Sequence, residues 1–343
     1  MKALVLRAPN APFELCNVPD PTPGPGEAVA RVLACGSGLT IQHIKAGRVK
    51  VPFPRIIGHE ITGEIVALGA GASGIAVGDA VTAYYYLNCG HCRNCLSQFE
   101  PLCDNLAGQI GRECDGGYAE YIKLPARNFI KLPRELDYKK HPAEIGVITD
   151  ALATPLKVLK RASVKAGETV AVFGAGGGLG VHQLMMAKWA RARVIAVDVA
   201  SDKFDTCRKA GADEVVDASK GNVAEQLMEL TKGRGVDVAI DYVSAKPTLE
   251  AAVKSLAKRG RLVTLGGAGK PFEVAAADLL AKELSLLGSR YVTRSEILET
   301  LDLVARREVW PLVSDIRPMA EAEAVHERVE KGLVVGRAAL MIA

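Results

Sequence analysis

Aromatic residues are scarce in this chain, 5% of 343 positions. An aromatic-lined pocket would therefore have to draw on a few of them, with Phe53, Tyr84 to Tyr86 and Trp310 as the candidates. Long apolar runs are missing as well. No stretch approaches the roughly 18 uncharged apolar residues that a membrane span needs, and the opening Met1-Lys2-Ala3-Leu4-Val5-Leu6-Arg7 meets charge and proline too soon for a secretory signal. Nor is there a large excess of one charge. Lys and Arg number 43 against 39 Asp and Glu, a net +4, too weak a field to imply a nucleic-acid or membrane partner. No internal repeat is present, and the one biased segment, Pro19 to Gly26, reads as a turn. These absences point to a soluble cytoplasmic protein. The composition, 49% apolar and 24% charged, provides ample core, and the length predicts two domains.

The first ~145 residues are rich in Gly and Pro, with short β-branched runs such as Ala28 to Val32 and Ile61 to Val66 between turn signals, the texture of an irregular all-β unit. From about residue 165, strand-like apolar runs alternate with longer amphipathic stretches, the pattern of a parallel sheet flanked by helices. Six strands are predicted: Thr169 to Phe173, Arg193 to Asp198, Glu214 to Val216, Val236 to Tyr242, Arg261 to Leu265 and Leu284 to Gly288. That number suits a dinucleotide-binding sheet. Two amphipathic stretches follow, Ser295 to Arg306 and Ala320 to Lys331. A strand-like Arg337 to Ile342 closes a tail expected to return to the first domain.

The first predicted strand runs into Gly174-Ala175-Gly176-Gly177-Gly178-Leu179-Gly180, and a helical pattern follows with Val181, Leu184, Met185 and Trp189 on one face. Glycines let such a turn tighten and the backbone approach a pyrophosphate, whose charge sits among the unsatisfied N–H groups of the helix N-terminus. The spacing is Gly-x-x-Gly-x-x-Gly over Gly174, Gly177 and Gly180. The stricter Gly-x-Gly-x-x-Gly fails because Leu179 falls on its third glycine. Asp198 ends the next strand at about the ~20-residue distance where an acid accepts hydrogen bonds from the adenosine ribose and repels a 2′-phosphate. NAD is thus expected rather than NADP, with Lys203 a second ribose contact. The alternative reading is a tight structural turn with Asp198 as a helix cap.

Eight cysteines are unevenly placed. Cys89-x-x-Cys92-x-x-Cys95 and Cys103 offer four thiolates within one loop, enough to close a tetrahedral sulfur shell around a structural zinc. Adjacent Cys-x-x-Cys pairs make poor disulfides in a reduced compartment.

With the glycine turn, the four-cysteine lobe and Gly58-His59-Glu60 in one chain, the sequence resembles the zinc-containing alcohol dehydrogenases of the medium-chain dehydrogenase/reductase superfamily, essentially from end to end. Gly24-Pro25-Gly26-Glu27, Gly78-Asp79-Ala80-Val81 and Gly116-Gly117-Tyr118-Ala119-Glu120-Tyr121 support the likeness. The resemblance implies an α/β architecture with a GroES-like β-rich catalytic domain over 1–149, including a structural-zinc lobe at about 88–104. A Rossmann doubly wound NAD-binding domain over 150–288 and a return to the catalytic domain over 289–343 complete it, with the active site in the cleft between the domains. For a catalytic zinc, the resemblance assigns His59, with Glu60 beside it, and Asp150 as a variant third ligand. The remaining position, a cysteine in relatives, falls on Gly38, while Cys35 belongs to the preceding strand. Thr40 matches the hydroxyl that binds the reacting oxygen, and His43 the histidine that ends a proton relay.

An alcohol near pKa ~16 loses its proton at neutral pH only with help, and zinc as a Lewis acid supplies several kcal/mol of it. The set His59, Glu60 and Asp150 is chemically adequate for zinc with an open fourth position, but it equally suits a metal-free hydrogen-bonding or acid/base cluster. Both readings stand at this point. The leading function is an NAD-dependent alcohol dehydrogenase. The second is a reductase of activated C=C or C=N bonds without catalytic zinc, and the third a dinucleotide-binding protein without turnover. The remaining histidines, His91, His141, His182 and His326, are expected to be structural or surface residues. Leu284 to Leu287 is an apolar edge-strand candidate that implies a homodimer or homotetramer.

Overall fold

Small and β-branched residues, punctuated by Gly and Pro, make the early part of the chain a β structure, and longer amphipathic segments take over after residue 150. The computed structural model describes residues 1–266 and 271–342. By its contacts the chain forms two units, Met1–Ala151 with Val292–Ala343, and Leu152–Tyr291. The borders lie a few residues beyond the predicted 149/150 and 288/289, so Asp150 belongs to the first unit. In chain order the strands are β1 (Lys2–Leu6), β2 (Phe13–Asn17), β3 (Glu27–Ser37), β4 (Glu60–Leu68), β5 (Ala80–Ala83), β6 (Tyr121–Pro125) and β7 (Phe129–Lys131). Next come β8 (Thr169–Phe173), β9 (Arg193–Asp198), β10 (Glu214–Asp217), β11 (Val236–Asp241), β12 (Leu256–Thr264) and β13 (Ser285–Gly288), then β14 (Val313–Pro318) and β15 (Arg337–Met341).

In the first unit a seven-stranded sheet runs β14-β15-β3-β4-β5-β7, with β6 also paired to β3, while β1 and β2 form a separate ribbon. The C-terminal tail therefore returns into this sheet, as predicted. Antiparallel register sets Ala339 opposite Gly36 and Ala338 opposite Ser37 on one side of β3, and Glu60 opposite Gly36 on the other. The end of β3 and the starts of β4 and β15 thus meet at one end of the sheet. Gly36 is required there, since a Cβ would overlap the Glu60 carboxylate and lie 2.8 Å from Val147 Cγ1. The helix Pro142–Val147 packs on β3, β4 and β15, with Ala143 against Ala34 and Ala339. It leads into a wide helical turn, Ile148–Leu152, that carries Asp150.

The second unit holds a parallel sheet in the order β10-β9-β8-β11-β12-β13, the 3-2-1-4-5-6 order of a doubly wound dinucleotide fold. Thr169–Phe173 is buried along its whole length, as a central parallel strand covered on both faces must be. Two local expectations fail. Strand β12 starts at Leu256 rather than Arg261, with a register shift against β11 between Val236 and Val238. In the helix Gly180–Trp189, Val181 and Leu184 are buried as predicted, but so are His182, Gln183, Met186 and Ala187, whereas Trp189 is 38% exposed. This helix packs on β8, on β9 and on the helix Ala153–Ala162, so its buried arc is wider than one stripe. Among the described residues, no helix is long and apolar enough to cross a membrane.

Candidate active site, coenzyme turn and metal lobe

The turn after β8 is built by close backbone approach. Gly174 has φ +74°, a conformation glycine adopts without penalty. A Cβ on Gly180 would overlap the Gly174 carbonyl and lie 2.8 Å from Ala175 Cα, so the helix start can press against the strand end only without a side chain. Asp198 at the end of β9 ties the turn down: its Oδ2 accepts from Gly176 N at 2.7 Å and its Oδ1 from Ala200 N at 3.0 Å. The Lys203 stem covers Gly176, where a Cβ would stand 2.6 Å from Lys203 Cδ. Asp198 and Lys203 therefore both border the glycine turn. Gly178 offers its carbonyl to His182 Nδ1 at 2.6 Å, and Gly177 and Leu179 lead into the helix, whose N-terminal N–H groups are available to an anion.

In the first unit the four cysteines converge. Cys89 Sγ lies 3.9 Å from Cys95 Sγ and Cys92 Sγ lies 4.0 Å from Cys103 Sγ, near the edge of about 3.8 Å that a tetrahedron with Zn–S of about 2.3 Å requires. Backbone N–H groups donate to the sulfurs: Cys89 N to Cys103 and Cys92 N to Cys89, both at 3.3 Å. Such donors stabilise thiolates, and the one from His91 chiefly draws the Cys89 thiol down to about 6. The donor set fits zinc.

At the end of the sheet lies the polar cluster. His59, Glu60 and Asp150 are 2%, 1% and 6% exposed, and each brings a ligand-type atom within 4.8 Å of the others. His59 Nε2 is 3.5 Å from Asp150 Oδ2, and its ring rests on Tyr85 with centroids 4.4 Å apart. A fourth residue joins them that sequence reasoning missed as a site residue. Arg337, 5% exposed, opens β15 and directs its guanidinium into the cluster. Its Nε donates to Glu60 Oε1 and Oε2 at 3.0 and 3.2 Å. Its Nη2 donates to Glu60 Oε1 and, at 2.7 Å, to Asp150 Oδ2.

The electrostatics follow from burial and this cation. Burial pushes the Glu60 carboxyl up to about 8 against the pull of Arg337, with Asp150 adding to the rise. Burial works on Asp150 too, but Arg337 and His59 outweigh it and hold that carboxyl below the usual range. A metal here would compete for the oxygens the guanidinium holds. A dication at about 4 Å from it would meet a repulsion of about 8 kcal/mol at an effective dielectric of about 20.

Gly38 explains how the arginine fits. Its backbone is extended, φ −116° and ψ 179°, which any residue adopts, so the missing side chain matters for space alone. A Cβ there would lie 2.6, 2.7 and 2.9 Å from Arg337 Cζ, Nη1 and Nη2. Cys35 is buried in β3 with its Sγ 3.7 Å from the Gly36 carbonyl, outside the cluster. Thr40 and His43 lie one turn apart on the helix Leu39–Lys45, Thr40 exposed and His43 half-buried. His43 Nδ1 accepts from Arg48 Nε at 2.7 Å. Burial and the Arg48 charge lower its pKa, so the ring is neutral with its proton on Nε2.

The other expected residues divide. His326 is structural but richly partnered, with Nε2 near Tyr118 Oη and Ser37 Oγ at 3.0 and 3.2 Å and Nδ1 2.7 Å from Gln42 Oε1. His141 meets Trp310 edge to face, and Trp310 also lies under Arg307. Of the aromatic candidates, Tyr85 packs on the His59 ring of the cluster, and Tyr86 packs against both Tyr84 and Tyr85. A signal for Arg337 exists in the sequence: one charge opening the otherwise apolar final strand.

Known proteins agree with this architecture. Residues 24–134 match the alcohol dehydrogenase GroES-like domain model, and residues 178–306 the zinc-binding dehydrogenase model. An alcohol dehydrogenase of Geobacillus stearothermophilus is 34% identical, with 100% of this chain and 99% of the relative covered. The chain belongs to the zinc-binding alcohol dehydrogenase family. It is an oxidoreductase. A solved NAD-dependent alcohol dehydrogenase superimposes with a TM-score of 0.90 at 29% identity, covering 100% of both chains. An acryloyl-coenzyme A reductase of Metallosphaera sedula is also 29% identical, over 99% of each chain. Relatives of this chain thus include proteins named as alcohol dehydrogenases and one named as an acryloyl-coenzyme A reductase.

Proposed function

We propose that the chain is an NAD(H)-dependent oxidoreductase that moves a hydride to or from a carbon of a small-molecule substrate, interconverting an alcohol and a ketone or aldehyde. The observation that carries this is Asp198, at the end of β9 and bonded to the backbone of the glycine turn. Its carboxylate would accept from ribose hydroxyls and repel a 2′-phosphate. The turn and the start of the helix Gly180–Trp189 take the diphosphate through backbone N–H groups. Bound NAD supplies the hydride acceptor, and NADH the donor, at the nicotinamide ring. In the first unit Thr40 holds the reacting oxygen by its hydroxyl, and His43 takes up the proton on Nδ1 as its hydrogen bond from Arg48 is given up. The four cysteines hold a structural zinc that shapes their loop. The edge strand β13, with Leu286 37% exposed, is the pairing edge of a homodimer or homotetramer.

A second reading is favoured by one observation. With Arg337 on the oxygens that a catalytic metal would use, reduction of a conjugated C=C bond needs less from the site than alcohol oxidation does. Fluorescence titration of the full chain with NADH and NADPH tests the shared part: NADH binds at least ten times more tightly. Equal affinity, or binding of neither, removes the reading. Turnover across alcohols, ketones and enones then separates the two substrate classes.

A further inference from the structure

Three observations of the polar cluster belong together. Register places Ala338 opposite Ser37, so the next position outward on β15, Arg337, faces Gly38, where relatives carry a thiolate. The space that any side chain on Gly38 would need is filled by the guanidinium. That guanidinium also binds both carboxylates left in the donor set, Glu60 and Asp150, while buried from solvent. We propose that Arg337, admitted by the missing side chain of Gly38, takes the seat of the catalytic metal, leaving the four-cysteine lobe as the zinc centre of this chain.

Physical chemistry supports the exchange. A guanidinium does not lose its proton in a protein and presents a planar fork that matches carboxylate oxygens. It is therefore a permanent cation held by charge-assisted hydrogen bonds. Zinc would have to take those oxygens from it while gaining only one imidazole and no thiolate, a donor set short of its usual preference. His59, Glu60 and Asp150 do not fit a catalytic zinc as Arg337 holds them. Arg337 is a positioning residue: it keeps the carboxylates of Glu60 and Asp150 turned inward, and Asp150 in turn lies against His59.

A consequence for substrates rests on the hydride-transfer reading above. A guanidinium donates hydrogen bonds but has no empty orbital for an alkoxide lone pair, so it cannot acidify an alcohol by coordination. The favoured acceptor is then an α,β-unsaturated carbonyl, whose conjugation spreads the developing charge. The hydride from NADH forms a C–H bond at the β-carbon. The C=C pair moves to give an enolate, NADH becomes NAD+, and the α-carbon takes a proton from water.

Elemental analysis of the purified full chain, grown with ample zinc, tests the assignment. About one zinc per chain is expected both in the unmodified protein and in His59→Ala, with loss of zinc in Cys95→Ser. About two zincs, falling to one in His59→Ala, would overturn it. Gly38→Cys combined with Arg337→Ala is expected to gain a second zinc, while Gly38→Cys alone gains none. A folded double variant that gains none overturns the claim that the guanidinium and the missing thiolate close the seat. If the double variant does not fold, the His59→Ala comparison still decides. Enone reduction at least tenfold faster than alcohol oxidation supports the substrate consequence, and the reverse overturns it. No turnover of any substrate, with one zinc present, would remove the hydride-transfer reading alone.

Discussion

Replacing Arg337 by methionine keeps the apolar stem and deletes the charge, which isolates what the guanidinium does for the fold. In the native protein it holds two carboxyl groups that are 1% and 6% exposed, Glu60 and the ionised Asp150. Removing one partner from a buried ion pair costs about 3–5 kcal/mol, because the charge left behind is uncompensated. The cost depends on pH in a direction the cluster dictates. Native Asp150 is held below the usual carboxylate range despite its burial, chiefly by Arg337. Its contribution is therefore present above the unfolded value of about 3.9 and lost as the pH falls below that. Without Arg337, burial acts on Asp150 with His59 and the Glu60 hydrogen bond left to oppose it, and its folded-state pKa rises above the unfolded one. The variant then retains protons the unfolded chain has released, so its stability falls as the pH rises. Glu60, already raised to about 8, loses its main opposing pull and moves the same way. The deficit should thus be present already near pH 5 and grow to its largest near pH 8, where about 3–5 kcal/mol at about 2–4 °C each corresponds to a Tm drop of roughly ten degrees. Scanning calorimetry at pH 5.5 and 8.0 measures this. An unchanged Tm at pH 8, or a deficit that shrinks with rising pH, would refute the reasoning.

Gly180→Ala should weaken NADH binding at least tenfold, because the added methyl meets the Gly174 carbonyl and Ala175 Cα and forces the turn open; unchanged affinity in a titration would show that the turn does not hold the cofactor. Asp198→Ala removes the tie to Gly176 and the repulsion of a 2′-phosphate, so the ratio of NADH to NADPH affinity should fall by roughly tenfold; an unaltered ratio places the selectivity elsewhere. Cys95→Ser should release the zinc, read by a colorimetric chelator, and expose the lobe to proteolysis; retention of the metal argues against four-sulfur ligation. His326 is held neutral by burial, its pKa lowered to about 3. Its contribution is present above the unfolded value of about 6.5 and lost as the pH falls towards 3. His326→Gln should therefore flatten the loss of stability between pH 6.5 and 4, and an acid limb as steep as before would contradict this.

Much of this protein was legible along the chain because the relevant physics is local. The period-two and buried runs at Thr169–Phe173 and Arg193–Asp198 gave those strands to the residue, since a central parallel strand must be apolar on both faces. The glycine turn and the four-cysteine loop were equally plain, because a tight turn and a metal shell both need particular residue types at short spacing. Less local features were misjudged. The early start of β12 depends on pairing with β11, and the wide buried arc of the helix Gly180–Trp189 depends on neighbours on several sides.

The polar cluster divides the same way. Its resemblance-based members, His59, Glu60 and Asp150, were named from their motifs, and Gly38 stood where the resemblance places a cysteine. That Arg337 fills the gap was not, because Arg337 is 277 positions from Glu60 in sequence. What the amino-acid order determined by itself was the set of elements, the glycine turn and the four-cysteine lobe, each governed by interactions a few residues long. What only the tertiary structure decided was which cation meets the two buried carboxylates. That depends on the register of the last strand against the third, and on a void that exists only when Gly38 and Arg337 face each other.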